Sequence, residues 1–304
     1  MNRNIDLPHA VFLASTVIVG LSVFFIFGFL FMTAAPVLEQ EGIGFIIGTE
    51  WNYETHTYGI LNFIAGTLAL TAVTLVLAVP LSLFTAIFLA EWAPAWLEQI
   101  MRPPIEMLVG IPSVVYGLFG FFFLEKVFRY HVDPAISGTL GQFIPIFHDP
   151  APHTGLGILL ASTILAIMIL PTVTALSQEA MMGVSREWKE GSLAIGATKW
   201  QTIRRVVVPA AMPGIITAII LGIMRAVGET MAVLMLMGGK EHIPTSILDG
   251  GTAMTSKIIA DIGYYASFGE PRAALFAIGG IIFLMEILFV AAARAIGKHY
   301  TKTR

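Results

Sequence analysis

Six apolar runs of about 20 residues or more recur along this chain, near Val11–Ala35, Tyr58–Ala90, Ile105–Leu124, Thr154–Leu176, Ala211–Gly239 and Ala273–Ile296. A helix rises about 1.5 Å per residue, so runs of this length cross roughly 30 Å of hydrocarbon. They point to an all-α, polytopic membrane protein with about six transmembrane helices. Composition agrees: 56% of the 304 residues are hydrophobic and 12% charged, where a soluble domain averages roughly 25% charged. The first run, with Arg3 before it and Thr33-Ala34-Ala35 after it, has the outline of a signal peptide. Its length of about 25 residues exceeds the usual apolar core of such peptides, so a retained membrane helix is expected. Without cysteine, the chain has no disulfides, cysteine metal clusters or thiol catalysis. Nothing in it points to nucleic acid.

The distribution of Lys and Arg sets an expected orientation. Six spans put both termini on one side with the loops Glu91–Pro104 and Gln178–Pro209. That side carries Arg3, Arg102, Arg186, Lys189, Lys199, Arg204, Arg205, Arg294, Lys298, Lys302 and Arg304. The other side holds Lys126, Arg129, Lys240, Lys257 and Arg272 among more acidic residues, and its loop Val37–Thr57 has no Lys or Arg. Both termini are therefore expected in the cytosol of a cell with this chain in its plasma membrane.

The basic segment from Ser185 to Pro209 reads as helix, glycine turn, helix. Ser185 is a candidate N-cap with Glu187 in the first turn. Thr198 and Gln201 fit a capping box, and Trp200, Ile203 and Val207 share one face of the helix that follows. Gly191 and Gly196 allow a corner, and Pro209 predicts a break before the next span. A basic amphipathic segment can simply lie on anionic lipid. The spacing favours a docking surface. Glu190, Gly191 and Ser192, then Gly196, then Val206-Val207-Val208-Pro209 resemble the EAA signature of ABC importer permeases. That pattern is Glu-Ala-Ala, three residues, Gly, nine residues, Ile-x-Leu-Pro; here Gly and Ser replace the alanines and valines replace Ile and Leu.

Further runs resemble phosphate importer permeases of the PstC type: Gly48-Thr49-Glu50-Trp51-Asn52, Leu89-Ala90-Glu91-Trp92-Ala93-Pro94, Gly110 through Gly117, and Arg225-Ala226-Val227-Gly228-Glu229-Thr230-Met231-Ala232-Val233. The resemblance implies a type I importer fold with an N-terminal helix and outer loop over 1–57, a permease core over 58–297 with the coupling loop at 178–209, and a tail over 298–304. It also implies an ATPase partner of the PstB type that carries ATP and Mg, a second permease of the PstA type, and an external phosphate-binding protein of the PstS type. No cofactor or metal is expected in this chain, which lacks a Gly-x-x-x-x-Gly-Lys-Ser/Thr loop and so is not itself the ATPase.

Two features suit an anion pathway. Arg225 and Glu229 lie in an apolar run, where an ionisable group costs at least about 2.5–3.5 kcal/mol. Their i, i+4 spacing on one helix face lets each neutralise the other, and a guanidinium offers two parallel donors to an oxyanion. A pair that only positions the helix fits the same spacing. Gly110-Ile111-Pro112-Ser113 predicts a break in the third span. A restarted half-helix there presents N–H groups and the Ser113 hydroxyl to an anion, although a proline kink satisfied by its neighbours is the plainer outcome. Thr230 joins these residues as a pathway candidate. Arg102 and Glu106 read as a solvated pair, and Glu286 as a packing or protonated carboxyl in the sixth span. His131, His148 and His153 read as outer loop residues without metal spacing. The segment 238–271 is too polar to cross and is expected at the outer face. A sulfate, molybdate or tungstate permease, a PstA-type subunit and a proton-coupled carrier are the alternatives; an intramembrane enzyme lacks any catalytic pairing.

Overall fold

The computed structural model describes residues 7–149, 154–267 and 269–302, with the side chains from 296 onward outside that description. Arg3, His153, Arg304 and the side chains of Lys298 and Lys302 thus lie outside the described part. Among the described residues, eleven of fourteen α-helices frame the bundle: α1 Leu7–Glu41, α2 Leu61–Ile87, α3 Ala95–Val109, α4 Ser113–Phe119, α5 Ile158–Met182, α6 Arg186–Ala194, α7 Lys199–Thr202, α8 Val208–Gly228, α9 Met231–Leu236, α10 Met254–Tyr265 and α11 Gly269–Lys302. Among the described residues, five helices are long and apolar enough to cross a membrane, or six when the bent pair α3 and α4 counts as one span. A short antiparallel hairpin, β1 Trp51–Asn52 with β2 Thr57–Tyr58, follows α1.

The bundle is built around α5, with about two thirds of its apolar stretch buried. It packs between α2 and α8. Small residues let the backbones approach. A Cβ at Gly222 would meet the Val173 side chain at 2.9 Å, and one at Gly214 would meet Ala180 at 2.4 Å. Hydroxyls bond across the α2–α5 seam, Ser162 to the Leu70 carbonyl (3.2 Å) and Ser82 to that of Leu170 (3.3 Å). Lipid offers no hydrophobic drive between helices, so close packing and such bonds hold the seam. Outside this core, α1 pairs with α11.

Two faces result. On the hairpin face, Phe45, Tyr58, Ile60 and Phe63 bury against Ala34, Val37, Ala274 and Ile278, and α10 packs there without crossing the bundle. On the loop face lie α6, α7 and the ends of α2 and α5.

Four boundaries differ from the sequence expectation. Helix α1 continues past Pro36 to Glu41, so Val37–Glu41 is helix, where Glu41 accepts from the Tyr58 amide at 3.0 Å. The third run straddles a 95° bend, and the helical stretch beyond it extends from Ser113 to Gln142. His131 is therefore helical rather than in a loop. No break falls at Pro209, because the stretch Lys199–Gly228 is continuous. A wide turn at Ile203–Val207, closed by the Val208 amide on the Ile203 carbonyl, makes room for the proline ring where a tight helix would bend. The fifth run instead breaks at Glu229, which is extended (ψ 131°).

Candidate functional site

The 95° bend is organised by one residue pair. Pro112 has no N–H, so the Leu108 carbonyl four residues back loses its helical donor. The buried Tyr116 hydroxyl donates to that carbonyl at 3.0 Å. Tyr116 thus joins the first turn of α4 to the end of α3 and holds the bend open. Sequence reasoning placed the break at Gly110–Pro112 and missed Tyr116, although a Pro followed four residues on by Tyr is the readable signal. Tyr116→Phe is expected to cost toward the lower end of about 1–3 kcal/mol, the penalty for an unsatisfied polar group, since Leu108 is only half-buried. A lowered melting temperature of the purified protein checks this.

A second break lies against the first. Gly117 and Gly120 form a small-residue face on which α9 sits: a Cβ at Gly117 would be 3.2 Å from the Ala232 Cα and 2.8 Å from the Met235 sulfur. Arg225 stands in the last turn of α8. The expected Arg225–Glu229 pair is absent among the described residues. The chain leaves the helix at Gly228, so Glu229 never reaches the i+4 position on that face. Its carboxylate accepts instead from the Ala232 amide at 3.3 Å, at the start of α9. Thr230 donates to the Gly228 carbonyl (3.2 Å) and Thr255 of α10 to that of Glu229 (2.8 Å). The carbonyl end of α8 offsets part of the Arg225 charge. Ser113, Arg225, Glu229 and Thr230 are all partly exposed. The guanidinium is left with donors to spare.

Glu286 faces the same break from α11, its Oε1 3.7 Å from where a Cβ of Gly228 would stand. It opens onto a groove of about 570 Å³ with Met224, Phe283 and Arg294. Arg102 and Glu106 pair at 2.8 Å with both side chains exposed, as a solvated anchor should.

The loop follows its sequence signals closely. The Ser185 hydroxyl accepts from the Glu187 amide at 3.3 Å. The Thr198 hydroxyl accepts from the Gln201 amide (3.3 Å), and the Gln201 side chain accepts from the Thr198 amide (2.9 Å). Gly196 makes the corner at φ +85°, a conformation other residues rarely hold. Gly191 lies within α6 and is not the corner. Ile203 and Val207 are buried, while Trp188, Leu193 and Ile195 (87% exposed) present an apolar surface beside exposed Glu190.

Residues 78–302 match the family described as binding-protein-dependent transport system inner membrane component. The chain belongs to that family. Relatives include a probable ABC transporter permease, YqgH, of Bacillus subtilis, 37% identical over 83% of this chain and 76% of its own length. Two are phosphate transport system permeases PstC: that of Xylella fastidiosa at 35% over 84% and 79%, and that of Mesorhizobium japonicum at 34% over 96% and 90%. Among solved structures, an alginate-importing ABC transporter superposes with a TM-score of 0.59 at 16% identity over 97% of each chain. The MetNI methionine transporter does so at 0.57 and 16%, over 82% of this chain and 99% of that one. The all-α, multi-pass importer fold of this transport component is thereby established.

Acidic and basic groups on the hairpin face of this family member form two clusters, each around one buried charge, of which only the i, i+4 pair Lys257–Asp261 has a spacing readable in the sequence. Lys257, 4% exposed, pairs with Glu241 (2.5 Å) and Asp261 (2.9 Å). It lies over the rings of Trp51, Phe63 and Tyr53, and Tyr53 donates to Asp261. Asp249 is paired with Lys240 (3.0 Å) and His242 (2.6 Å). Burial pushes the Asp249 carboxyl up, but the hydrogen bonds and charges of His242 and Lys240 outweigh it and leave the group below its ordinary value. A depressed folded value stabilises the protein above the unfolded carboxylate value of about 3.9 and loses that stabilisation as pH falls through the folded one. Protection of the backbone amides in residues 240–251, taken relative to their intrinsic exchange rate at each pH, is expected to fall as pH drops below about 4, and Asp249→Asn to abolish that step.

Proposed function

We propose that this chain is the PstC-type permease of an ATP-driven importer of inorganic phosphate, forming one half of a two-permease pathway. Identity of about one third to phosphate permeases over most of the chain supports the substrate. The observation that carries the mechanism is Arg225, a partly exposed guanidinium without an ion-pair partner among the described residues, set where two helix breaks meet. Its planar donors suit two oxygens of a phosphate. Ser113, beside the Gly110–Pro112 bend, and Thr230 add hydroxyls, and the Glu229 carboxylate accepts a hydrogen bond from the O–H of a partly protonated phosphate as Arg225 takes the anion.

The loop face is cytoplasmic in this proposal, with both termini on it, because that side gathers the Lys and Arg excess. Glu190, Gly191, Ser192, Gly196 and Pro209 then belong to the segment that enters a groove of a PstB-type ATPase. Exposed Ile195, Leu193 and Trp188 supply its apolar contact. ATP and Mg reside on that partner, a PstA-type permease completes the pathway, and a PstS-type protein delivers phosphate at the hairpin face.

Uptake of radiolabelled phosphate into vesicles carrying the four components tests this. ATP-dependent uptake that excess sulfate, molybdate or tungstate leaves intact is expected. Suppression by one of those oxyanions would move the substrate to it, and uptake driven by a proton gradient without ATP would overturn the coupling.

A further inference from the structure

The loop is joined to the bundle in two ways. Helix α8 follows it covalently, since Lys199–Gly228 is one continuous helix. Helix α2 ends about a hundred residues earlier in sequence and has no such connection. Yet the loop grips it. Lys189 on α6 donates to Glu91 at 2.6 Å, with side chains 22% and 11% exposed. Trp200 on α7 stacks on Trp92, ring centroids 5.8 Å apart and planes within 17°. Glu91 and Trp92 are neighbours on the wide turn Phe88–Trp92 that finishes α2. The Ser192 and Thr202 hydroxyls, 3.0 Å apart, bond α6 to the end of α7, so both arms of the loop move as one piece. Beneath them Val207, Ala211 and Ile215 share an apolar cluster with Ala86, Met181 and Val184.

The far end of α2 is held as firmly. Asn62 donates to the carbonyls of Thr49 (2.7 Å) and Glu241 (2.9 Å). At Gly66 the Thr252 carbonyl approaches to 2.4 Å from where a Cβ would stand. A rod held at both faces carries displacement from one to the other.

We propose that Lys189–Glu91 and Trp200–Trp92 form a clamp through which displacement of the loop is passed to α2, so that α2 and α8 move together around α5. Glu91, Trp92, Lys189 and Trp200 are positioning residues for transport, distinct from the exposed residues offered to the ATPase. The clamp rests on the coupling role proposed above for the loop. An exposed ion pair contributes little; this one is largely shielded, and the half-exposed Trp92–Trp200 stack joins the same two elements a second time.

The test measures phosphate uptake and ATP hydrolysis together in vesicles of the full complex. Glu91→Gln and Lys189→Met are expected to co-purify with the ATPase and hydrolyse ATP near the unmodified rate. Phosphate moved per ATP should fall about tenfold, the equivalent of about 1.4 kcal/mol of lost coupling. The exchanged pair Glu91→Lys with Lys189→Glu should recover most of it. Because the chain has no cysteine, Glu91→Cys with Lys189→Cys can be bridged by a short bis-maleimide, which should restore coupling that the unbridged variant lacks. Unchanged phosphate per ATP in the single variants would overturn the clamp. So would failure of both the exchange and the bridge in an assembled complex. A complex of the unmodified chain that moves no phosphate on ATP would instead remove the functional proposal on which the clamp depends.

Discussion

Phosphate uptake by the Arg225→Lys variant is expected to fall roughly 10- to 100-fold, with the complex still assembled. Hydrogen bonds to charged groups contribute about 1.5–3 kcal/mol, and each 1.4 kcal/mol or so is a factor of ten. Lysine keeps the charge that the carbonyl end of α8 favours, so the fold should hold. It loses the fork, and a compact ammonium meets one oxygen where a guanidinium meets two. Arg225→Ala removes both and should abolish uptake. Structural service alone would give another pattern, since the arginine has no partner in the described bundle whose loss would destabilise it. Normal uptake by Arg225→Lys, measured beside intact co-purification with the ATPase, would take Arg225 out of the pathway as a bidentate ligand.

The largest stability effect is expected at Lys257. Its ammonium, 4% exposed, is shared by Glu241 and Asp261 and lies over three aromatic rings. Removing one partner of a buried ion pair costs about 3–5 kcal/mol, because the charge left behind has neither water nor counter-ion. Water reaches Glu241, whose side chain is 43% exposed, and this trims the cost toward the lower end. Asp261 is shielded at 17% and keeps the penalty. Lys257→Met should therefore lower the melting temperature of the purified subunit by on the order of 10 °C. Pairing it with Asp261→Asn should recover part of the loss, since no unpaired charge then remains there. A melting temperature within a degree or two of the unmodified protein would show that the cluster relaxes into solvent.

Local signals in the sequence translated well. The caps at Ser185 and Thr198 join residues two or three apart, and the apolar runs are decided by length and composition. The break at Pro112 was legible because proline removes a donor wherever it stands. The same rule failed at Pro209, where the wide turn just upstream accommodates the ring. Spacing misjudged Arg225 and Glu229 because it assumes an unbroken helix, and Gly228 and Glu229 leave it. What unwinds them is tertiary: α9 must turn to reach Gly117, and Thr255 of α10 takes up the Glu229 carbonyl. The Lys257 cluster was legible only in its i, i+4 pair with Asp261; Glu241 and the rings beneath the ammonium come from other elements, and the Asp249 cluster is held by a loop. Tyr53 and Asp261 are 208 positions apart, and no periodicity relates them.

Helix α1 differs from the other four unbent crossings in one respect: none of its most apolar stretch is buried within the chain, and only its later part meets α11 and the hairpin. Two kinds of selection therefore act on one helix. Over the first half, no neighbour within this chain constrains shape, and the choice of residue falls to the lipid or to the second permease proposed above. From Leu30 and Phe31, which touch Gly279 and Gly280, through Ala34 and Val37 to Glu41, shape and hydrogen bonding hold each position to a narrow choice. A saturation library of this helix, scored on the subunit alone, should show tolerance rising abruptly from its hairpin end toward Leu7; tolerance that disappears when the second permease is present would mark the early half as the surface where the two permeases meet.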